Sequence, residues 1–369
     1  MKKICVITSG RQDFGHLYWV MKDIEASNKL ELVVFAPGNH HCIQEIMKEF
    51  KTVQMTPNIN GIQDYGEFYS FMLYTLKAYN FNMVMVLGDR FETHAAATAA
   101  LLLNISIVHL HGGESTKGAF DDNLRNSITM MADIHFTATE EYALNVINMH
   151  NKQIHGLNMF KPYRYTRKET VFVTGAPGLD WLTRAKLKTK AELQQGLSIN
   201  LNEPFILACF HPVTKELGNT VYQANHFMGA ISSLDEQILL VSPNTDPENE
   251  KIRSIAKACA NILGSKIHIV ENLDHLTYLS LLQYAEMMVG NSSSGIIEAA
   301  SFNLPSITIG NRQEGRIKPD NVFFCPCETE AILTAIDRAR EWNALVGKCG
   351  NPYGDGRSSE KIVQVLENL

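Results

Sequence analysis

Short apolar runs recur along this chain, separated by helix-length segments, and that alternation constrains the fold more than any other feature. The clearest runs are residues 4–8, 32–36, 83–87, 105–110, 134–137 and 171–173, then 205–210, 237–241, 266–270, 287–289 and 306–309. They are continuous rather than alternating, as expected of strands covered on both faces. Between them, residues 92–103, 123–132, 248–263 and 276–285 read as helices. Repeated βα alternation predicts an α/β protein with doubly wound parallel sheets. So many strands exceed one ordinary core, so two sheets are expected, divided near Gly175-Ala176-Pro177-Gly178. The expected domains are residues 1–175 and 176–355, with a terminal helix, 356–369, packing back on the first.

Composition narrows the function classes. Of 369 residues, 45% are hydrophobic and 20% charged, which excludes a disordered chain and leaves enough apolar material for two cores. The net charge of −6 argues against a nucleic-acid partner. No apolar run reaches the roughly 20 residues that span a bilayer, so no membrane partner is expected. The apolar run after Lys2 and Lys3 is too short for a secretory signal and reads as a first strand. Seven cysteines without a CxxC pair point to free thiols in a reducing cytoplasm, with no metal site.

In doubly wound sheets, ligands bind at the carboxyl ends of strands, so the loops just after the runs carry the information. After the first comes Ser9-Gly10-Arg11-Gln12-Asp13-Phe14-Gly15-His16-Leu17. Gly10 and Gly15 have P-loop spacing, but the Lys and Ser/Thr that should follow are replaced by His16 and Leu17. What remains is a Gly-flanked turn carrying Arg11, a candidate for holding an anion. After residues 83–87, Gly88-Asp89-Arg90 sets a carboxylate and a guanidinium at a strand end; the plain alternative is Asp89 as a helix N-cap. After residues 105–110, His111-Gly112-Gly113-Glu114 leads to Asp121 and Asp122, and adjacent glycines allow close backbone approach to a ligand. His111, Glu114, Asp121 and Asp122 are candidates for acid–base work, with Asp121 or Asp122 alternatively capping the next helix.

The second half has a different chemistry. His211 follows the strand at 205–210. Gly290-Asn291-Ser292-Ser293-Ser294-Gly295 opens a helix, an arrangement suited to phosphate, and Glu298 lies one turn in, where it could hold sugar hydroxyls. The plain reading there is ordinary serine capping. Arg312 and Arg316 follow the next strand. Carboxylates and histidine in one half, with a phosphate cradle and arginines in the other, fit a diphosphate-bearing ligand held by two facing domains. One segment, 155–168, combines Phe160, Tyr163 and Tyr165 with Lys161, Arg164, Arg167 and Lys168; it reads as a solvated excursion or oligomer contact.

Gly88-Asp89-Arg90, His109-Leu110-His111-Gly112-Gly113-Glu114, Gly118-Ala119-Phe120-Asp121-Asp122, Gly175-Ala176-Pro177-Gly178-Leu179-Asp180, His211-Pro212-Val213-Thr214, the 290–298 turn and Gly310-Asn311-Arg312-Gln313-Glu314-Gly315-Arg316 occur in that order. The series resembles the UDP-N-acetylglucosamine 2-epimerase family, and most of all its hydrolysing branch, which feeds sialic acid synthesis in bacteria. The resemblance implies a GT-B fold of two Rossmann-like domains with a cleft between them. It implies conversion of UDP-N-acetylglucosamine and water to N-acetylmannosamine and UDP, through a glycal, in a homodimer or homotetramer without cofactor or metal. By motif match it implies Asp89, Asp121 and His211 as catalytic. It implies Arg11, Arg90, His211, Asn244, Ser292, Ser293, Glu298 and Arg312 as UDP contacts, with Leu273 at the uracil. Many family members carry Glu where this chain has His111, so either His111 replaces it or Glu114 takes over. The same chemistry on UDP-N,N′-diacetylbacillosamine and, more remotely, glycosyl transfer are the alternatives.

Overall fold

The computed structural model describes residues 1–154, 170–244, 246–271, 273–345 and 349–369; the basic aromatic segment 155–168 lies outside them. The chain forms two compact units. One comprises Met1–Glu114, Asp121–Arg184 and Tyr353–Leu369, and the other Ser115–Phe120 and Ala185–Pro352.

In the first unit the elements are β1 (Lys2–Ile7), α1 (Arg11–Ala26), β2 (Leu30–Pro37), α2 (Ile43–Glu49), β3 (Val53–Thr56), α3 (Tyr65–Tyr79) and β4 (Met83–Leu87). They continue with α4 (Phe91–Leu102), β5 (Ser106–Leu110), α5 (Asp121–Met131), β6 (Ile134–Thr137), α6 (Glu140–Ile154), β7 (Thr170–Val173) and α7 (Trp181–Arg184). Among the described residues they build a seven-stranded sheet of order β3-β2-β1-β4-β5-β6-β7, parallel throughout. Alternate residues feed opposite cores, as strand geometry requires. Ile4 and Val6 pack with Leu17, Val20 and Ile24 of α1, whereas Cys5 and Ile7 share a cluster with Phe68, Met72 and Leu76 of α3. The buried alanines of α4 (Ala95, Ala96, Ala97, Ala99 and Ala100) join that second cluster.

The second unit runs α8 (Lys190–Leu197), β8 (Phe205–Cys209), α9 (Thr220–Ser233), β9 (Gln237–Val241), α10 (Asn249–Leu263), β10 (Ile267–Val270) and α11 (His275–Leu282). Then come β11 (Met287–Gly290), α12 (Ser294–Ile297), β12 (Ser306–Ile309), β13 (Val322–Cys325) and α13 (Thr329–Leu345); α14 (Ser358–Asn368) returns to the first unit. Its sheet, of order β10-β9-β8-β11-β12-β13, is again parallel throughout. In each unit the strand order reverses once, between β1 and β4 and between β8 and β11. Crossovers leave those neighbouring strands in opposite directions, so a crevice opens at their carboxyl ends.

The expected runs do not include β3 and β13. Both are four-residue edge strands of their sheets. The division between units falls after Arg184 rather than after residue 175, because the intervening turns are anchored on the first unit. Trp181 Nε1 donates to the Gly15 carbonyl at 2.7 Å, and Arg184 forms a two-pronged ion pair with Asp23 at 2.6 Å in each arm. Residues 115–120 likewise belong to the second unit rather than the first. Lys117 N donates to the Glu314 carbonyl at 3.0 Å, and Lys215 N to the Gly118 carbonyl at 3.2 Å.

Asp180 caps α14 from a distant part of the chain. Its fully buried carboxylate accepts from the backbone N–H groups of Ser358 at 2.8 Å and Ser359 at 2.6 Å, and from the Ser359 hydroxyl. These are donors that a helix start leaves unpaired. Burial raises the Asp180 pKa, opposed by those three hydrogen bonds. Replacing Asp180 with Ala strands two buried N–H groups at roughly 1–3 kcal/mol each. Asp180→Ala should therefore lower the urea midpoint and expose α14 to limited proteolysis. An unchanged midpoint with an uncut C-terminus would show that α14 is held by its apolar face alone.

Candidate functional site

At the β1/β4 reversal, the first unit gathers most of its charged candidates. Gly10, in extended conformation, precedes α1, so Arg11 stands at the helix start and Asp13 in its first turn. Asp13 accepts from the Ser9 hydroxyl at 2.7 Å, closing the turn. Arg90 enters from the end of β4. Its guanidinium grips the buried carboxylate of Glu92 with two bonds, 2.9 and 3.3 Å, and lies 3.7 Å from Asp13. Its Nη1 comes within 4.0 Å of where a Cβ on Gly10 would stand. Arg90 and the Gly10–Arg11 turn thus share one crevice.

Asp89 does not cap α4. The residue preceding the helix is Arg90, with no side-chain capping bond, and the Asp89 carboxylate pairs instead with Arg125 on α5. The Arg125 side chain is only 2% exposed. It also donates to Asp122 at 2.7 Å and to the Glu114 carbonyl at 3.1 Å. One buried cation therefore ties the end of β4, the loop after β5 and the first turn of α5. Its cost of burial is offset only while these acceptors surround it. Asp121 and Asp122 sit inside the first turn of α5, where negative charge favours the helix, and Asp122 is committed to Arg125.

His111 takes a left-handed backbone conformation, φ +62°, which turns the loop back on itself. Its Nδ1 lies 2.5 Å from Glu114 Oε1, so the two side chains form one hydrogen-bonded pair. The His16 ring lies 6.2 Å from that of His111. Gly178 leaves room for His16: a Cβ there would stand 2.2 Å from His16 Nδ1.

The second unit builds its cluster at the β8/β11 reversal. His211 N donates to Asn291 Oδ1 at 2.7 Å, and Asn291 Nδ2 returns a bond to the His211 carbonyl at 2.8 Å. This reciprocal pair ties the two strand ends. Arg312 and Gln313 donate to the Asn291 carbonyl at 3.2 and 3.0 Å. Asn244 donates its N–H to His211 Nδ1 at 3.1 Å and its amide to Asp246 at 2.7 Å, and Asp246 lies 3.7 Å from Arg312. Since His211 Nδ1 accepts, the ring proton resides on Nε2, 3.3 Å from Cys209 Sγ. Burial, with Arg312 adding to it, pushes the His211 pKa down to about 3, so the ring is neutral.

The turn after β11 departs from the expected cradle. Its helix, α12, is a single turn that passes into a 3-10 turn at Ala299–Phe302, and Ser293 makes no side-chain capping bond. The dipole of so short a helix is small. Glu298 and Ser292 are buried near Tyr278, whose hydroxyl donates to Met288 Sδ at 3.8 Å. Burial raises the Tyr278 pKa well above that of a free phenol, with Cys209 and Glu298 adding to the shift. Leu273, half-buried, precedes α11. Gly118 packs against the Arg312 backbone, where a Cβ would stand 2.7 Å from its Cα.

The structure thus brings Arg90, Asp89, His111, Glu114 and Asp121 to the carboxyl end of the first sheet, beside the Gly10–Arg11 turn. His211, Asn244, Ser292, Ser293, Glu298 and Arg312 lie at that of the second. Sequence reasoning passes over Arg125, Asn291, Asp246 and Glu92 as site residues. For Arg125 a signal exists: it shares the α5 stripe with Ile128 and Thr129, all buried, so helical spacing places a charge on the inner face.

Comparison with known proteins identifies the lineage. The profile of the UDP-N-acetylglucosamine 2-epimerase family matches residues 22–367. A Legionella pneumophila protein named UDP-N,N′-diacetylbacillosamine 2-epimerase (hydrolyzing) is 30% identical, covering 100% of this chain and 96% of its own. A Neisseria meningitidis protein named UDP-N-acetylglucosamine 2-epimerase is 28% identical over 100% of this chain and 96% of its own. A crystal structure of a UDP-GlcNAc 2-epimerase from Neisseria meningitidis bound to UDP-GlcNAc superposes with a TM-score of 0.82 at 19% identity, covering all of both chains. The fold is GT-B-like, two doubly wound Rossmann-type units, and the chain belongs to the UDP-N-acetylglucosamine 2-epimerase family.

His40 accepts from Cys42 N at 2.9 Å through Nδ1, and burial lowers its pKa to about 4; burial does the same to His109. Both belong to the first unit. Below their ordinary pKa of 6.5 the unfolded chain takes up protons that the folded chain refuses, so stability falls as pH falls from 6.5 towards 4. Each group contributes up to roughly 3 kcal/mol to that loss. Thermal melts should therefore show a falling midpoint between about pH 6.5 and 5, above the range where carboxylates titrate. A flat profile there would mean that both rings ionise without cost.

Proposed function

We propose that this chain is a hydrolysing 2-epimerase of UDP-activated 2-acetamido sugars, converting UDP-N-acetylglucosamine and water to N-acetylmannosamine and UDP. The observation that carries the reading is Asp89, paired with a buried guanidinium and grouped with the His111–Glu114 pair on the strand-end loops of one sheet. Glycosyl transfer needs a single base, whereas inversion at C2 needs one group to remove a proton and another to return it on the opposite face.

The chemistry follows in two steps. The C1–O bond breaks, UDP leaves with the bonding pair, and C1 becomes electron-poor. The C2 hydrogen is then acidic enough for a carboxylate to take, which leaves a glycal. Water adds its hydroxyl to C1 while a proton reaches C2 from the other side. Asp89, its carboxylate held by the Arg125 guanidinium, is the base in this scheme. The His111–Glu114 pair and Asp121 are the remaining proton carriers. Arg11, Arg90 and Arg312 neutralise the charge gathering on the departing diphosphate. His211 is a further contact of the same ligand, its neutral ring fixed between the Asn244 N–H and Cys209 Sγ. Glu298, Ser292, Ser293, Asn244 and Leu273 are its further contacts with UDP. The mannosamine-type product suits entry into sialic acid synthesis.

The second reading, the same reaction on UDP-N,N′-diacetylbacillosamine, is favoured by the name of the 30% identical Legionella relative. Supplying each nucleotide sugar and measuring free UDP and free sugar separates the two. In D₂O the released sugar should carry deuterium at C2. UDP released only with an added acceptor, or a product still bound to UDP, would sink the hydrolysing assignment. Asp89→Asn should lower turnover about 1,000-fold while UDP binding persists in calorimetry. Undiminished turnover would remove Asp89 from the mechanism.

A further inference from the structure

The turn that carries Asp89 is braced from below by a histidine with no part in the scheme above. His109 is fully buried on β5, next to His135, with ring centroids 6.4 Å apart. Its Nε2 lies 2.8 Å from the Gly88 carbonyl oxygen. A carbonyl only accepts, so Nε2 carries the proton and the neutral ring keeps a lone pair on Nδ1. That lone pair faces the Thr129 hydroxyl at 3.2 Å, so Thr129 donates to it. The depressed pKa given above keeps the ring neutral at working pH.

The geometry closes a circuit. Gly88, at φ +68°, sets the direction of the chain into Asp89. Thr129 lies four residues after Arg125, one turn along the same buried face of α5. Arg125 in turn holds the Asp89 carboxylate. The loop joining His111 to Glu114 rests on the same brace: a Cβ on Gly112 would stand 3.0 Å from His109 Nδ1 and 3.2 Å from the Thr129 hydroxyl. Losing the ring's donor takes this partner from the half-buried Gly88 carbonyl and frees the turn on one side.

We infer that His109, together with Thr129, is a positioning residue that fixes the Gly88–Asp89 turn against α5 and so sets where the Asp89 carboxylate stands. The inference deepens the 2-epimerase reading and rests on it for its kinetic consequences. A displacement near 1 Å at a reacting group costs on the order of 100-fold in rate.

The test uses the full chain and three variants. His109→Phe keeps an aromatic ring and removes the donor; kcat should fall on the order of 100-fold with KM and UDP affinity almost unchanged. His109→Gln keeps an N–H within reach of Gly88 and should recover most of that loss. Thr129→Val, of matching shape, should lower kcat about 10-fold, and it carries the test if the Phe variant does not fold. Crystal structures of the variants supply a readout independent of turnover. Asp89 should separate from Arg125 in the Phe or Val variant and regain its place in the Gln variant. An unmoved Asp89, or full kcat in both disruptive variants, overturns the inference. Absence of UDP release by the wild-type chain with both nucleotide sugars overturns the functional reading instead, and the crystal structures then decide the role of His109 alone.

Discussion

Both units depend on the same topological constraint. A parallel strand can be followed by another only through a crossover, and right-handed crossovers place successive helices on one face until the winding direction changes. Each sheet changes direction once, beside its first strand, so β1 and β4, and likewise β8 and β11, have no crossover covering the gap at their carboxyl ends. Arg90 and the Gly10–Arg11 turn stand at the first of those gaps, and the His211–Asn291 group at the second. The chain needs polar side chains there, because backbone groups at the strand ends are not paired within the sheet.

What fills the two gaps differs in kind. In the first unit a buried cation organises its surroundings: Arg125 draws Asp89, Asp122 and the Glu114 carbonyl together. Removing any one of these acceptors leaves the guanidinium short of a partner in a poorly solvating place. In the second unit a neutral amide does the organising. Asn291 exchanges two hydrogen bonds with the backbone of His211, and its own carbonyl accepts from Arg312 and Gln313. The first arrangement favours charged acid–base groups, the second fixed donors for an anionic ligand.

Much of this is legible in the order of the amino acids. The continuous apolar runs locate the central strands, because residues covered on both faces leave no polar alternation. The edge strand β3, Val-Gln-Met-Thr, escapes for the complementary reason: a polar residue interrupts its short apolar run. Asp89 has two readings, helix cap or cleft carboxylate, and only its contact with Arg125, thirty-six residues away, decides between them. His111 and Glu114 read as separate candidates, and the structure sets their side chains 2.5 Å apart. The Ser/Gly turn after β11 reads as opening a helix, and the helix found there is a single turn with a small dipole.

The amino-acid sequence by itself determined the α/β class, the two sheets and the strand-end loops that carry the charged clusters, because hydrophobic periodicity is local and strand ends follow from it. Only the tertiary structure decided which partner each charged side chain meets. Arg125 reads as an ordinary helical arginine and His109 as one more strand residue until the sheet brings β4, β5 and α5 together. Pairing of that kind depends on distances across elements far apart in the chain, and no local spacing encodes them.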